Sequence, residues 1–352
     1  MMCFPAEEKY VRIMGRTRKR DGMLYLGYSC SSIEFVFTGK RAEAVLWTDS
    51  PAFPDIHKAW IAVFVNEEQE PSRRFPLEKE EGRYVLYESD AVKETKLRLV
   101  KYSEAAFGKV GIKSLRLDSA IPPRPTIALP RRLEYIGDSI TCGYGNEGVW
   151  MTDVFHTAQE NPWEAYAAVT ARSLKADYQM VCWSGIGIIS NWTDQDTPNE
   201  EWLMPELYPY TDKACDLALG IEPELWDYSS FVPDCIVINL GTNDHSYARN
   251  IPNRVAVFAS KYAEFLRQVR SCNPNAEILC TLGAMGQELC PVIREQVERL
   301  AAQGDKRLHY LSYDIQKSKD GIGSDWHPSK LTHQKMAAKL EGKIREIMNW
   351  QD

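Results

Sequence analysis

The chain has 352 residues, more than one hydrophobic core ordinarily serves, so two domains are the expectation. Hydrophobic residues make up 44% and charged ones 26%, the mixture of an ordinary globular protein. A net charge of −7 argues against a nucleic-acid surface, and the one basic run, RTRKR at 16–20, reads as the border of a surface turn.

The opening residues MMCFPAEEKYVRIMG lack a basic region and a long apolar run, which reads as a cytoplasmic protein without an export signal. No later segment nears the roughly 18 apolar residues of a membrane span, so no membrane partner is expected. As far as residue 118 the pattern has period two: SIEFVFTG, RAEAVLWTD, KAWIAVFVN, GRYVLYE, TKLRLVKY and VGIKSLRLD alternate apolar and polar positions between turn residues. Eight or so short strands without helices predict an all-β sandwich of jelly-roll type over 1–118. SAIPPRPTIALP, 119–130, carries four prolines and reads as a semi-rigid linker lying along a surface.

From 131 to 352 the pattern changes. RLEYIGD, ADYQMVCWS, PDCIVINLG and AEILCTLG are apolar strands separated by helical stretches. One helix is predicted from Pro162, with Asn161 as its cap and Glu164 at the third position. A second carries Val255, Phe258, Ala259, Tyr262, Phe265, Leu266 and Val269 on one face, and the last begins near Ser329 with Met336, Leu340, Ile344 and Ile347. Alternating strands and helices predict a parallel sheet covered on both faces, a three-layer α/β/α domain whose ligand binds beyond the carboxyl ends of the strands. The nine cysteines are scattered without CxxC spacing, and Cys182, Cys235 and Cys280 sit in apolar runs. They read as small buried hydrophobes in a reducing compartment; with no clustered Cys or His, neither a metal nor a cofactor is expected.

Polar residues end these strands. Gly137-Asp138-Ser139 closes the first, in YIGDSITCGYG; Ser184-Gly185-Ile186-Gly187 follows the second; Gly241-Thr242-Asn243-Asp244 follows the third. Asp325-Trp326-His327-Pro328 precedes the last helix. Each alone reads as a common turn or a surface histidine; their joint occurrence in this order does not. The pattern resembles the SGNH (GDSL) hydrolase superfamily over about 131–350. GDSITCGYG, SGIG and HPSKLTHQKMA, behind a β-rich first third, are most similar to carbohydrate esterase family 2.

The resemblance implies a flavodoxin-like catalytic domain and a serine esterase. Ser139 would attack the ester, and His327 would take its proton and return it to the leaving alcohol. The N–H of Ser139, a glycine N–H and the amide of Asn243 would form the oxyanion hole. Gly187 falls where the superfamily glycine does, with Gly185 two residues away. Most of the superfamily places a carboxylate three residues before the histidine; position 324 is serine and the acid is Asp325. Asp325 is therefore either the third catalytic residue or a bystander to a Ser–His dyad held by a backbone carbonyl such as that of Ser324.

Trp326, beside His327, is the expected substrate contact, since sugar faces stack on aromatics. Trp183, Trp192 and Trp202 flank the glycine block, and 191–228 reads as an insertion over the cleft. The implied activity is O-deacetylation of xylan- or mannan-derived oligosaccharides, imported if the protein is cytoplasmic. The alternatives are a lipase or thioesterase of the same superfamily, a non-catalytic carbohydrate-binding protein, an FMN-binding flavodoxin-like protein, and a metal hydrolase built on Asp138, Asn243 and His327.

Overall fold

The period-two segments of the first third hydrogen-bond into an antiparallel sheet in the computed structural model, which describes residues 1–351. Its main strands are β1 (Ser32–Thr48), β2 (Trp60–Val65), β3 (Glu81–Lys101) and β4 (Val110–Leu117). Four of the expected short strands are halves of two long ones. β1 and β3 pair along almost their whole length, and the breaks expected near residue 40 are register shifts at Gly39/Arg41 and Ala42/Glu43. A bulge bends a strand without ending it. Before the shift β1 also pairs with Arg12–Met14 and Arg124–Pro125; after it, with β4. The two halves of this one ten-stranded sheet therefore share their long strands around one core, including Phe35, Phe37, Leu46, Ile61, Val63, Leu99 and Ile112. Each such side chain contributes about 1.5–3 kcal/mol on burial. The proline-rich segment lies along this sheet through Arg124 and Pro125.

This first compact unit comprises Met1–Leu129 together with His156–Glu160 and Thr211–Glu224, two excursions from the later chain. The basic run takes part in holding the second of them. It is a strand, Thr17–Arg20, and Arg18 pairs with the buried Asp216 at 3.0 Å and with Glu224 at 2.7 Å. Arg16 is wholly buried. A buried acid can draw a cation out of what composition presents as a solvated turn.

The second unit comprises Pro130–Phe155, Asn161–Tyr210 and the chain from Leu225 onward. Five parallel strands, β5 (Arg131–Gly137), β6 (Ala176–Cys182), β7 (Cys235–Asn239), β8 (Glu277–Leu282) and β9 (Leu308–Ser312), lie in the order β6-β5-β7-β8-β9. β6 and β7 are buried at every residue, as strands covered on both faces must be. Besides a single turn at Met204–Leu207, the helices are α1 (Ser139–Cys142), α2 (Tyr166–Ser173), α3 (Thr242–Ala248), α4 (Pro252–Cys272), α5 (Cys290–Ala302) and α6 (Lys330–Met348). α2 packs on α6, while α3, α4 and α5 pack in sequence. Right-handed crossovers put helices on opposite faces when strand order reverses, and here it reverses around β5.

The helix expected from Pro162 is broken. Asn161 caps a single 3₁₀ turn through its bond from the Glu164 N–H, Ala165 is extended, and α2 starts at Tyr166. The Tyr166 N–H donates to His333 Nδ1 on α6 at 3.1 Å, a partner from 167 residues away.

Candidate active site

Asp138 caps α1, its Oδ1 accepting the N–H of Ile140 at 3.0 Å. Ser139 is thereby the first helical residue, where a backbone N–H has no carbonyl to meet within the helix. Its Oγ lies 2.8 Å from His327 Nε2, and His327 Nδ1 lies 3.1 Å from the Ser324 carbonyl. A carbonyl only accepts, so Nδ1 is assigned the ring proton, and Nε2 accepts the hydrogen bond donated by the Ser139 hydroxyl. Burial pushes the His327 pKa down to about 4, against smaller upward pulls from the Ser324 carbonyl and the Asp325 charge. The imidazole is neutral at pH 7, the form in which it can take up a proton.

Asp325 does not hold the ring by its carboxylate. Asp325 and Trp326 both have left-handed backbones, φ 51° and 67°. With that turn, Asp325 Oδ2 accepts a hydrogen bond from the Tyr144 hydroxyl at 2.9 Å, and the orienting contact on Nδ1 is the backbone carbonyl. The turn is held on several sides. The Ser324 N–H donates to the Gly145 carbonyl at 2.9 Å, the Gly323 N–H to the His327 carbonyl at 2.8 Å, and the Gln316 amide to the Trp326 carbonyl at 2.6 Å. The Tyr144 ring stacks on Phe155 with centroids 3.5 Å apart and lies 4.5 Å from the imidazole centroid. The residues just after the nucleophile block thus grip the histidine block.

The glycine expected in the oxyanion hole is otherwise engaged. The Gly187 N–H donates to Asn191 Oδ1 at 3.1 Å, the residue is buried, and a methyl there would run into the Ser190 carbonyl. Gly185 is half-buried at φ 79°, with open space where a Cβ would project. Sequence counting alone could not tell these two apart, because what separates them is the partner brought by Asn191.

Asn243, at the start of α3, is buried with Ser139 beneath the strand ends. Its Nδ2 donates to the Ile186 carbonyl at 2.9 Å and lies 3.4 Å from Asp138 Oδ2, so one amide links the ends of β5, β6 and β7. Asp244 was absent from the sequence-derived site, yet it builds the loop. Its Oδ1 accepts the N–H groups of Ile188, Ile189 and Ser190 at 2.8, 2.7 and 3.3 Å. Burial raises its pKa to about 6 despite those three bonds. Asp244 follows Asn243 in GTND, and nothing in that motif separates a loop-end acid from one buried in a nest of donors.

Trp326 is 40% exposed beside the dyad. Trp192 is also exposed, its backbone N–H donating to the Gly185 carbonyl at 2.8 Å, whereas Trp183 and Trp202 stack on each other at 6.2 Å. The arrangement can deprotonate a hydroxyl, deliver it to an acyl carbon and meet the developing oxyanion with backbone and amide donors.

The GDSL-like lipase/acylhydrolase family profile matches residues 135–335, and a carbohydrate esterase 2 N-terminal profile matches residues 13–125. The cellulase/esterase CelE of Acetivibrio thermocellus is 37% identical over 262 residues, a match to 72% of this chain. The chain spans only 30% of the length of CelE. The acetylxylan esterase / glucomannan deacetylase of Cellvibrio japonicus is 29% identical over 349 residues, 98% of this chain and 91% of that protein. A solved family two carbohydrate esterase from Clostridium thermocellum, in complex with cellohexaose, matches with a TM-score of 0.86 at 31% identity, covering 97% of this chain and 100% of that one.

Proposed function

Because the chain belongs to the family two carbohydrate esterases, we propose that it removes O-acetyl groups from acetylated xylan- or mannan-derived oligosaccharides through an acyl-enzyme. One observation carries the chemistry: a neutral imidazole whose Nδ1 is fixed on the Ser324 carbonyl and whose Nε2 meets the Ser139 hydroxyl at 2.8 Å. Ser139 Oγ attacks the acetyl carbonyl as its proton passes to His327. The imidazolium then protonates the sugar oxygen as its bond to the acetyl carbon breaks, and water repeats the two steps on the acetyl-serine. The N–H groups of Ser139 and Gly185 receive the oxyanion, and the Asn243 amide joins them by turning toward it the hydrogen of its long 3.4 Å contact with Asp138. The carbonyl on Nδ1 stabilises the transient imidazolium, and Asp325 adds its charge from a distance. Trp326 offers an apolar face to the sugar.

The sugar class rests on the relatives' names. The nine cysteines, unbonded to one another, support a reducing compartment such as the cytoplasm, where the substrate would be an imported oligosaccharide. The test is acetate release from acetylated xylo- and manno-oligosaccharides, expected in the native protein and abolished by Ser139→Ala. Turnover confined to long-chain acyl esters or thioesters would overturn the reading.

A further inference from the structure

We propose that Trp150 is the second wall of a sugar-binding corner that it forms with Trp326, and that this corner makes the enzyme selective for extended glycan chains over single acetylated sugars. The inference rests on the deacetylase reading and adds a specificity-determining residue to it.

Trp150 and Trp326 meet edge to face, with centroids 4.3 Å apart and planes at 76°. Both remain open to solvent, 41% and 40% exposed. Two indoles packed for their own burial would cover one another; these two enclose an angle and leave surface free. A pyranose ring fits such an angle, its apolar face on one indole and its C–H edge on the other.

The backbone beneath the corner is costly. A bulky residue with positive φ is an outlier, and Trp326 sits at φ 67°. Gln316 on its carbonyl and the Gly323–His327 bond hold it there. Strain kept in place by surrounding bonds, aiming a large apolar side chain into water next to a reacting pair, points to a contact made with substrate. Trp150 is tied to the same loop through its backbone N–H, which donates to the Ile322 carbonyl at 3.0 Å. The two indoles are thus positioned together with His327.

The shelf continues beyond the corner. Val149, Met151 and Val154 are 56%, 82% and 79% exposed, an apolar surface on the loop that carries Trp150. The Val149 N–H on Asp153 Oδ2 at 2.9 Å and the Thr152 hydroxyl on the Val149 carbonyl at 3.0 Å keep that loop folded back on itself. A chain extending from the reacting sugar would run over this surface, so affinity should grow with chain length.

The experiment compares native enzyme, Trp150→Ala and Trp150→Phe on p-nitrophenyl acetate, acetylated xylobiose and acetylated xylopentaose. In the native enzyme KM should fall from the disaccharide to the pentasaccharide. Trp150→Ala should lower the ratio of pentasaccharide to p-nitrophenyl acetate kcat/KM roughly five- to tenfold, through KM rather than kcat, with Phe restoring part of it. An unchanged ratio, or a loss shared equally by all three substrates through kcat, overturns the corner. In the latter case Trp150 only supports the histidine loop. A native enzyme that cleaves p-nitrophenyl acetate and neither acetylated sugar overturns the deacetylase reading itself, and the corner with it.

Discussion

Asp244 is the place where the loop behind the serine can be undone with one substitution. In Asp244→Ala, three buried N–H groups, those of Ile188, Ile189 and Ser190, lose their shared acceptor. At about 1–3 kcal/mol for each orphaned donor, the central loss is about 6 kcal/mol. Against this stands the cost of keeping the carboxylate ionised. Its pKa is raised from 3.8 to about 6 by burial, and at pH 7 that is a penalty of about 3 kcal/mol that alanine relieves. The net destabilisation is then about 3 kcal/mol at pH 7.

Asp244→Asn keeps an acceptor and removes the charge, so its change should stay within about 1 kcal/mol. A raised pKa means that the native state holds its proton more tightly than the unfolded chain. The contribution is present at low pH and lost as pH rises through about 6. At pH 5 the native carboxyl is mostly protonated while the unfolded one is still ionised, so about half of the penalty remains and the alanine deficit should grow by about 1 kcal/mol. Urea unfolding of the native, Ala and Asn proteins at pH 7 and pH 5, with m-values compared, reads all of this. An alanine deficit identical at the two pH values, or an Asn variant as damaged as the Ala variant, would refute the reasoning.

Two further outcomes follow from the dyad. His327→Ala should lower kcat on the order of 10⁴-fold or more. Asp325→Ala, which removes a distant charge and a Tyr144 contact but leaves the Ser324 carbonyl on Nδ1, should cost roughly tenfold; equal losses in the two variants would mean that the carboxylate orients the ring. Since burial lowers the His327 pKa to about 4, the acid limb of kcat/KM should bend near pH 4, not near 6.5, in a profile recorded on p-nitrophenyl acetate over a pH range in which the fold persists. The same shift works against acid stability. A histidine with a lowered pKa stabilises the fold above 6.5, and that contribution drains away as pH falls from 6.5 toward the folded value, for His327 and for the buried His333 at about 3.

The domain grammar was legible because period two and strand–helix alternation are local properties. So was the placement of Ser139, the SGIG glycines and Asn243 just past strand ends, where a parallel sheet presents its polar residues, and of His327 just before the last helix. What lay outside the sequence depended on partners distant in the chain. The basic run at 16–20 read as solvated until Asp216 and Glu224 came to meet Arg18. The helix expected at Pro162 broke because His333 offers the Tyr166 N–H an acceptor that no neighbour signals. Gly187 and Gly185 are equivalent in SGIG, and only the Asn191 side chain distinguishes them. Asp325 stands two residues before the histidine in a segment that reads as extended, and the left-handed turn at 325–326 made its carboxylate a partner of Tyr144 instead. Residue types and their order determined which chemistry the chain can hold. Which atoms carry it was decided by tertiary hydrogen bonds, because a donor or acceptor is assigned only when the fold brings its partner within 3 Å or so.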